Sequence, residues 1–298
     1  MSGRTWPLSL VLLLSMLNAS SAAAPFGSPQ LVRFKSIRNV EYARVNGLAL
    51  NLDASVPQTE PRSPAVILVH GGGWVRGDRR VDVAPLFEPL NNAGFAWFSI
   101  DYRLAADVTQ FGVAIEDVQQ AVRFVRSRAG EFHVDPDRIV LLGESAGGQL
   151  AAMAALRAAP GVCLKGVIAL YAPTDLVSLA KESDYIPAGI RNSIRGTPWE
   201  SLLMAGLAQL SPVNNLRPDM PPFLLIHGTQ DALVPFAQSR DMCKRMLQAN
   251  ASCEVYPVLG GGHGLRWWES DPKLANGYKS KLIDWLRRQL AAPSGGRS

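Results

Sequence analysis

The segment Gly143-Glu144-Ser145-Ala146-Gly147 places a serine hydroxyl between two glycines. Apolar residues 139–142 precede it and the Ala- and Leu-rich stretch 149–156 follows it, which predicts a strand, a tight turn and a helix. A serine on so sharp a turn has a strained backbone, and flanking glycines omit side chains that would collide. The helix N-terminus behind it favours developing negative charge. The motif indicates a nucleophile at Ser145; a Gly- and Ser-rich connection without chemistry is the alternative.

A serine hydroxyl is a weak nucleophile and needs a base, which a carboxylate in turn orients. Among the four histidines, His263 lies in the loop Gly260-Gly261-Gly262-His263-Gly264, just after a predicted strand. Glycines on both sides would let this loop carry an imidazole to a neighbouring strand end. His133 precedes a surface turn, and His70 and His227 each end an apolar strand. We therefore predict His263 as the base, with a solvated loop histidine as the alternative.

The orienting carboxylate is expected on a loop after a strand, between the serine and the histidine in chain order. Asp231, in His227-Gly228-Thr229-Gln230-Asp231, fits this position. Asp175 competes with it, because it follows the strand that comes directly after the nucleophile. The predicted role of Asp231 is to hold the His263 ring and stabilise its cation without taking its proton.

Acyl transfer also requires hydrogen-bond donors for the oxyanion of the tetrahedral intermediate. Residues 65–69 form a continuous apolar run, which is typical of a strand buried on both faces. The loop after this run is His70-Gly71-Gly72-Gly73-Trp74, and its glycines would expose backbone N–H groups. We predict Gly72 and Gly73 as donors, together with the N–H of Ala146. A phosphate-binding loop is the alternative, but no Gly-Lys-Ser/Thr follows and no Gly-x-Gly-x-x-Gly opens a helix.

Candidate substrate contacts are aromatic. Trp74 ends the glycine run, and Trp267 and Trp268 follow His263 closely, although the latter two could instead bury the last helix. The segment 172–218 is a candidate pocket wall, and helix core is the alternative for its apolar residues Trp199, Leu202, Leu203 and Met204.

The elements that must position these residues alternate along the chain. Residues 40–43 and 48–53 predict a hairpin through Asn46-Gly47, while residues 25–38 are expected to wrap the surface. Further strands are predicted at 65–69, 96–100, 139–142, 167–171, 223–226 and 254–258, and helices at 83–92, 114–125, 149–156, 235–247 and 274–290. This is an α/β pattern: a mostly parallel sheet with an antiparallel N-terminal edge and helices on both faces. Segment 172–218 interrupts it as a small helical cap.

Composition narrows the class of protein. A chain of 298 residues with 47% hydrophobic and 18% charged residues is long enough for one large α/β domain. The net charge of +5 comes from scattered basic residues, which argues against nucleic acid as a partner. Arg4, the apolar run 8–17 and small residues 19–24 predict a signal peptide over 1–23, leaving 24–298 as a single domain. The run is short for a membrane anchor. We therefore expect a secreted or periplasmic protein.

Three cysteines are present. Cys243 falls in a predicted helix and Cys253 opens the following strand, so an oxidising compartment makes a disulfide between them a hypothesis, with free thiols as the alternative. Cys163, beside a strand start, is expected to be buried and inert. No cysteine or histidine cluster has metal-ligand spacing, so no metal is expected.

Five motifs in order carry a resemblance: His70-Gly71-Gly72-Gly73-Trp74, Asp101-Tyr102-Arg103-Leu104, Gly143-Glu144-Ser145-Ala146-Gly147-Gly148, Asp231-Ala232-Leu233-Val234-Pro235 and Gly262-His263-Gly264. Over roughly residues 40–290 the chain resembles α/β-hydrolase fold carboxylesterases of the hormone-sensitive-lipase-like and feruloyl-esterase-like (BD-FAE) groups. The resemblance implies a cofactor-free hydrolase that acts on carboxylic esters through an acyl-enzyme. It also implies a structural role for Asp101 and Arg103.

Two positions bear on the subgroup. Glu144 stands where the lipase-like group often has Asp, and Trp74 favours the feruloyl-esterase and kynurenine-formamidase side of the resemblance. The expected function is an exported serine carboxylesterase acting on small esters. An amidase or aryl-formamidase, a feruloyl or acetylxylan esterase, and a binding protein that keeps the fold without turnover are the alternatives. The sequence does not specify the oligomeric state.

Overall fold

The computed structural model of the chain describes residues 32–105, 110–159, 162–182 and 196–291. The predicted signal peptide, 1–23, lies outside these ranges, as do residues 183–195 of the predicted cap. Within the described ranges, no helix combines the length and the apolar character needed to cross a lipid bilayer.

The described residues form one eight-stranded sheet in the order β1-β2-β4-β3-β5-β6-β7-β8. Its strands are β1 (Phe34–Val45), β2 (Leu48–Pro57), β3 (Ser63–Val69), β4 (Ala96–Ile100), β5 (Val134–Glu144), β6 (Gly166–Leu170), β7 (Phe223–Gly228) and β8 (Cys253–Val258). The pairs β1–β2 and β2–β4 are antiparallel, and all other neighbours are parallel. The predicted sheet with an antiparallel N-terminal edge is confirmed.

The turn between β1 and β2 shows why the edge hairpin forms. Asn46 and Gly47 both have positive φ, 50° and 83°, the conformation that a two-residue type I′ turn requires. Val45 consequently pairs with Leu48, which fixes the register of the hairpin. The prediction that residues 25–38 wrap the surface is wrong for 34–38, because β1 already begins at Phe34, while residues 25–31 lie outside the described ranges. This edge strand is mostly exposed or half-buried and so lacks the apolar alternation that would identify it.

Eight α-helices lie in the described ranges: α1 (Phe87–Asn92), α2 (Phe111–Ser127), α3 (Ala146–Leu156), α4 (Leu176–Glu182), α5 (Pro198–Gln209), α6 (Ala237–Gln248), α7 (Leu265–Glu269) and α8 (Pro272–Gln289). The helix predicted at 83–92 is a 3₁₀ turn, Ala84–Leu86, followed by α1. Helices α4 and α5 occupy the predicted cap segment between β6 and β7.

The sheet has a hydrophobic core on each face. Strand β3 illustrates this, because Ile67 and Val69 belong to one apolar cluster while Val66 and Leu68 belong to the other. Helices α2, α3 and α6 contribute to the first cluster, and α1 and α8 to the second. A strand buried on both faces reads as a continuous apolar run, which is why the central strands could be located from the sequence.

A disulfide joins Cys243 on α6 to Cys253 at the start of β8, with a Cα–Cα distance of 5.5 Å. The hypothesis of this pairing is therefore confirmed. Cys163 is a free and exposed thiol, so the expectation that it is buried is wrong. It lies in the irregular stretch before β6, whose buried residues begin one position later at Leu164.

Removing the disulfide is expected to destabilise the fold. The cross-link spans a sequence separation of 10 residues, and loop-closure entropy for a loop of that length corresponds to about 3 kcal/mol. We expect the double variant Cys243→Ser/Cys253→Ser to lose about that free energy of unfolding in urea denaturation. The matched control Cys163→Ser changes an exposed thiol and should leave the midpoint where it is. A double variant as stable as the parent would contradict the assignment.

Candidate active site

Ser145 occupies the turn between β5 and α3 in a strained conformation, with φ 51° and ψ −121°. The strain is maintained by close packing around both flanking glycines. A Cβ on Gly143 would collide with the Gly147 carbonyl, and a Cβ on Gly147 would collide with the carbonyls of Val69 and His70. Any larger residue at either position would force the turn open, so the two glycines hold the Ser145 backbone above the sheet.

The His263 ring lies beside the serine. Its Nε2 is 2.9 Å from Ser145 Oγ, although 118 residues separate the two in the chain. Gly260 and Gly264, with φ 75° and 109°, allow the loop after β8 to turn toward the nucleophile. The His263 ring packs against the Tyr171 ring in a T-shaped arrangement, with centroids 4.8 Å apart. The serine and the histidine predicted from the sequence are therefore brought together.

The loop that carries Asp231 is hydrogen-bonded to the loop that carries His263. Gln230 N–H donates to the Gly261 carbonyl at 2.9 Å, and Gly260 N–H donates to Thr229 Oγ1 at 3.0 Å. A Cβ on Gly228 would collide with the Gly261 carbonyl, so the loops approach as closely as backbones can. Because β7 and β8 are neighbouring parallel strands, their carboxyl ends present both loops at one edge of the sheet.

The Asp231 carboxylate is fully buried and has a donor on every side. Oδ1 accepts the backbone N–H groups of Leu233 at 2.9 Å and Val234 at 2.8 Å. Oδ2 lies 2.7 Å from His263 Nδ1 and 3.3 Å from His227 Nε2. Oδ1 is thus fixed by the backbone of its own loop, and Oδ2 is aimed at the ring that faces Ser145.

His227 was not assigned a role from the sequence, yet it contacts the same carboxylate. Its Nε2 also lies 2.8 Å from the Val234 carbonyl, which can only accept, so Nε2 carries a hydrogen. In the neutral ring, Nδ1 then accepts the hydroxyl hydrogen of Ser239 at 2.7 Å. The side chain is fully buried. His227 is therefore a positioning residue for Asp231; its separation of four residues from Asp231 was the available signal.

Hydrogen bonding controls the ionisation of this carboxylate. Burial raises the pKa of Asp231, but the hydrogen bonds from His227 and His263 outweigh burial and hold the pKa well below its ordinary value. The carboxylate is therefore ionised throughout the neutral range. It can stabilise a positive charge on His263 without accepting its proton.

This lowered pKa predicts a pH-dependent contribution to stability. A carboxyl whose pKa is lower in the folded than in the unfolded state stabilises the fold above the unfolded pKa, about 4, and stops doing so as pH falls below that value. We expect the parent to exceed Asp231→Asn in free energy of unfolding at pH 7, and the difference to shrink below about pH 4. Urea denaturation at stepped pH measures it. A variant that matches or exceeds the parent at pH 7 would refute the argument.

The competing carboxylate has a different task. Asp175 Oδ1 accepts the N–H groups of Val177 at 3.1 Å and Ser178 at 3.0 Å, at the start of α4. These are the donors that a helix N-terminus leaves unpaired. The structure therefore places Asp231, and not Asp175, beside the histidine.

The glycine run after β3 forms a loop with unusual backbone angles. Gly72, Gly73 and Trp74 have φ of 101°, 64° and 66°. Within the described ranges, the N–H groups of Gly72, Gly73 and Ala146 have no protein acceptor. Ala146 is the first residue of α3, where N–H groups lack intrahelical partners. All three predicted oxyanion donors thus remain available.

Hydrogen bonds on both sides of the peptide between His70 and Gly71 hold the loop after β3 in place. Tyr102 Oη lies 3.1 Å from the His70 carbonyl oxygen and 3.0 Å from the Gly71 carbonyl oxygen and shares its one hydrogen between them, and the Tyr102 ring stacks on the His70 ring. The N–H of Gly71 donates to Glu144 Oε1 at 2.5 Å. Gly71 is therefore excluded as an oxyanion donor, which leaves the two glycines that follow it.

Comparison with known proteins agrees with this geometry. A family model described as BD-FAE matches residues 52–246. The chain belongs to the BD-FAE family. A truncated carbohydrate esterase from gut microbiota has a similar structure, with a TM-score of 0.69 and 26% identity over 87% of this chain and 97% of that chain. Esterase 2 of Thermogutta terrifontis with bound butyrate has a TM-score of 0.69 and 28% identity over 89% and 96%. The predicted α/β-hydrolase fold is confirmed.

Among curated relatives, LipM of Mycobacterium tuberculosis, a probable carboxylic ester hydrolase, is 29% identical over 74% of this BD-FAE chain and 53% of its own length. The chain spans about half the length of the curated relatives it matches first.

One tryptophan predicted to contact substrate is placed elsewhere in the BD-FAE fold. The Trp74 ring is only 3% exposed, stacks on Phe111 with centroids 4.4 Å apart, and donates its indole N–H to Gln149 Oε1 at 2.9 Å. The prediction for Trp74 is therefore wrong: the residue joins the glycine loop to α2 and α3 and belongs to the core. Its position after the glycines could not reveal that its ring points inward.

The two tryptophans after His263 divide between surface and core. Trp267 is 58% exposed, and its ring lies against Gly262, where a Cβ would be 3.3 Å away. Trp268 is fully buried and donates its indole N–H to the Gly262 carbonyl at 2.9 Å. Trp267 remains a candidate for substrate contact at the histidine loop, while Trp268 secures that loop from within.

Three residues of the predicted pocket wall, all on α5, line a groove on the surface. Trp199, Leu202 and Leu203 line a groove of about 620 Å³, together with Gly112 and Arg157. Ser145 and His263 are not among its lining residues. Trp199 and Leu202 are more than 60% exposed, at 69% and 64%, so they are not helix core either.

Asp101 and Arg103 have the structural role that the resemblance implied. Asp101 accepts two hydrogen bonds from Arg79 at 2.7 and 2.6 Å, and Arg103 binds Asp117 on α2 through its side chain and its backbone N–H. Within the described ranges, no group of three or more His, Cys, Asp or Glu side chains could hold a metal ion.

Proposed function

We propose that the chain is a serine carboxylesterase that hydrolyses small carboxylic esters through an acyl-enzyme on Ser145. The observation that carries the proposal is the unbroken hydrogen-bonded series of Ser145, His263 and Asp231, with distances of 2.9 and 2.7 Å. Its last member is locked by two backbone N–H groups and a second histidine. A serine that merely connects two elements would need none of this support.

The proposed mechanism follows from the placement of each group. His263 Nε2 accepts the Ser145 proton while Oγ attacks the ester carbonyl, and the N–H groups of Gly72, Gly73 and Ala146 donate to the oxyanion. Collapse of the tetrahedral intermediate breaks the ester C–O bond, and His263 protonates the departing alcohol. Water then attacks the acyl-serine by the same route, with His263 again as base, and releases the acid. Asp231 stabilises the imidazolium in both halves.

The substrate class rests on similarity and on the loop after β8. The Thermogutta terrifontis esterase binds butyrate, which supports a short acyl chain. The similarity to a gut carbohydrate esterase, together with the exposed Trp267 ring beside His263, favours an acylated sugar as a second class of substrate. Feruloyl and acetylxylan esters are special cases of that class. An amidase or aryl-formamidase would use the same three side chains.

We also propose that the protein is exported to the periplasm or the cell exterior. The Cys243–Cys253 disulfide supports this, because such bonds persist in oxidising compartments and are rare in most cytosols. The charged, apolar and small-residue stretches over 1–23 support it from the sequence.

Two measurements test the proposal. A fluorophosphonate probe should form an adduct that peptide mass spectrometry places on Ser145, whereas no adduct would favour a binding protein without turnover. A panel of p-nitrophenyl esters from acetate to palmitate, with methyl ferulate and acetylated xylan beside it, should show turnover that is greatest for short chains. An anilide of the best acyl group hydrolysed faster than its ester would instead favour the amidase.

A further inference from the structure

Glu144, directly before the nucleophile, is a buried carboxyl that the proposed mechanism does not use. It is the last residue of β5 and is 8% exposed. Its Oε1 accepts the Gly71 N–H at 2.5 Å, from the loop that follows β3. A Cβ on Gly71 would collide with this carboxyl group, so the backbone and the carboxylate are in direct contact. One side of Glu144 thus holds the peptide from which Gly72 and Gly73 extend.

The other side of Glu144 leads to the histidine loop. Glu144 pairs with Leu170 across β5 and β6, so Tyr171 directly follows its partner on the neighbouring strand. The Tyr171 hydroxyl lowers the pKa of Glu144 as a hydrogen-bond donor would, and its oxygen accepts the Leu265 N–H at 2.9 Å. A hydroxyl has one hydrogen, and the Leu265 N–H must donate, so the Tyr171 hydrogen is directed to Glu144. Leu265 is two residues after His263 and begins α7. Tyr171 is fully buried, and its ring packs against the His263 ring.

These contacts form one buried series, from Gly71 N–H to the Glu144 carboxyl, to the Tyr171 hydroxyl, to Leu265 N–H. We propose that Glu144 and Tyr171 act as a pair of positioning residues that sets the oxyanion loop and the His263 loop at fixed places on either side of Ser145. Neither residue is assigned a contact with substrate. The inference rests on the proposed function, since it assigns these side chains to the same site.

Burying the Glu144 carboxyl costs free energy, which supports a positioning role for this residue. Burial raises the pKa of Glu144, and the hydrogen bonds from Tyr171 and the Gly71 N–H only partly oppose it. An apolar residue would fill the space at no such cost, but it would leave the Gly71 N–H without an acceptor and free the glycine loop to shift. A displacement of about 1 Å in a catalytic group can lower the rate by about 100-fold.

The variants Glu144→Gln and Tyr171→Phe each test one residue of the pair. Glutamine keeps one carbonyl acceptor but presents an NH₂ group to a second donor, so one contact must break. Phenylalanine keeps the ring against His263 and removes the hydroxyl that bridges Glu144 and Leu265. We expect each variant to lower kcat on p-nitrophenyl butyrate by at least about tenfold, with KM within about twofold of the parent. Because the two residues act as a unit, the loss of kcat in the double variant should be little more than the larger of the two single-variant losses.

A second tyrosine–glutamate pair, in which the tyrosine is buried and the glutamate is half-buried, provides the control. Tyr278 Oη on α8 donates to Glu269 Oε1 at the end of α7 at 2.6 Å, and neither side chain belongs to the proposed series. Glu269→Gln and Tyr278→Phe should leave kcat within about twofold of the parent. Thermal unfolding of all variants identifies any loss that comes from misfolding; if Glu144→Gln does not fold, the comparison of Tyr171→Phe with Tyr278→Phe decides.

The same assay distinguishes failure of the proposed function from failure of this inference alone. A parent that turns over no ester beyond Ser145→Ala would overturn the proposed function and the inference with it. An active parent whose folded Glu144→Gln and Tyr171→Phe variants keep kcat within about twofold would overturn the inference alone, as would single losses that multiply fully in the double variant.

Discussion

Replacing Ser145 with alanine is expected to lower kcat for p-nitrophenyl acetate and butyrate by about 10⁴-fold or more. The hydroxyl whose oxygen lies 2.9 Å from His263 Nε2 supplies the attacking atom in every turnover. Without it no acyl-enzyme forms, and the residual rate comes from the oxyanion donors and from binding alone. The loss should fall on kcat, because alanine leaves the space around a bound ester unchanged or slightly larger.

Misfolding can be separated from lost chemistry in this variant. Ser145 has φ 51°, and alanine meets the same strain as serine there, so the turn held by Gly143 and Gly147 should persist. We expect thermal unfolding similar to that of the parent and no fluorophosphonate adduct at position 145. Ser127→Ala, which removes an exposed hydroxyl bonded only within α2, is the matched control and should keep full activity. Ester turnover that survives in Ser145→Ala would refute the mechanism.

The serine, histidine and aspartate of the site were predictable from the sequence because the proposed reaction requires these three residue types. A nucleophile, a base and an orienting carboxylate must follow strand ends in a fixed order, and only a few serines, histidines and aspartates of this chain did so. The glycines around Ser145 were predictable for the same reason, since the turn excludes their side chains. The central strands were predictable because burial on both faces makes them uniformly apolar.

What the sequence did not reveal depends on where the folded backbone directs individual side chains. Tyr171 could be read only as the end of a strand, because its link to Glu144 arises when β5 and β6 lie side by side. His227 likewise gains its role from the fold of its own loop around Asp231. Trp74 was misassigned because the direction of a ring after a run of positive φ angles cannot be derived from spacing.

Replacing Asp231 with asparagine is expected to lower kcat by about 10⁴-fold, with KM little changed. The structure fixes how the amide must lie. Oδ1 accepts two backbone N–H groups, from Leu233 and Val234, so the amide oxygen must take that place. The NH₂ group then takes the place of Oδ2, 2.7 Å from His263 Nδ1.

This forced orientation reverses the hydrogen bond to the base. An NH₂ group donates to Nδ1, so the neutral ring of His263 must carry its hydrogen on Nε2, the atom that has to accept the Ser145 proton. The amide also meets the Nε2–H of His227, which faces Oδ2 at 3.3 Å in the parent, so two donors oppose each other. Nitrogen chemical shifts of His263 should report the change of tautomer directly.

Asp175→Asn is the matched control for this variant. It also removes a carboxylate from a loop that follows a parallel strand, but asparagine can still accept the Val177 and Ser178 N–H groups at the start of α4. We expect its kcat to stay within about twofold of the parent. The opposite result, with Asp231→Asn active and Asp175→Asn inactive, would transfer the orienting role to Asp175. A loss in Asp231→Asn with His263 still protonated at Nδ1 would show that the carboxylate acts through its charge and not through the tautomer.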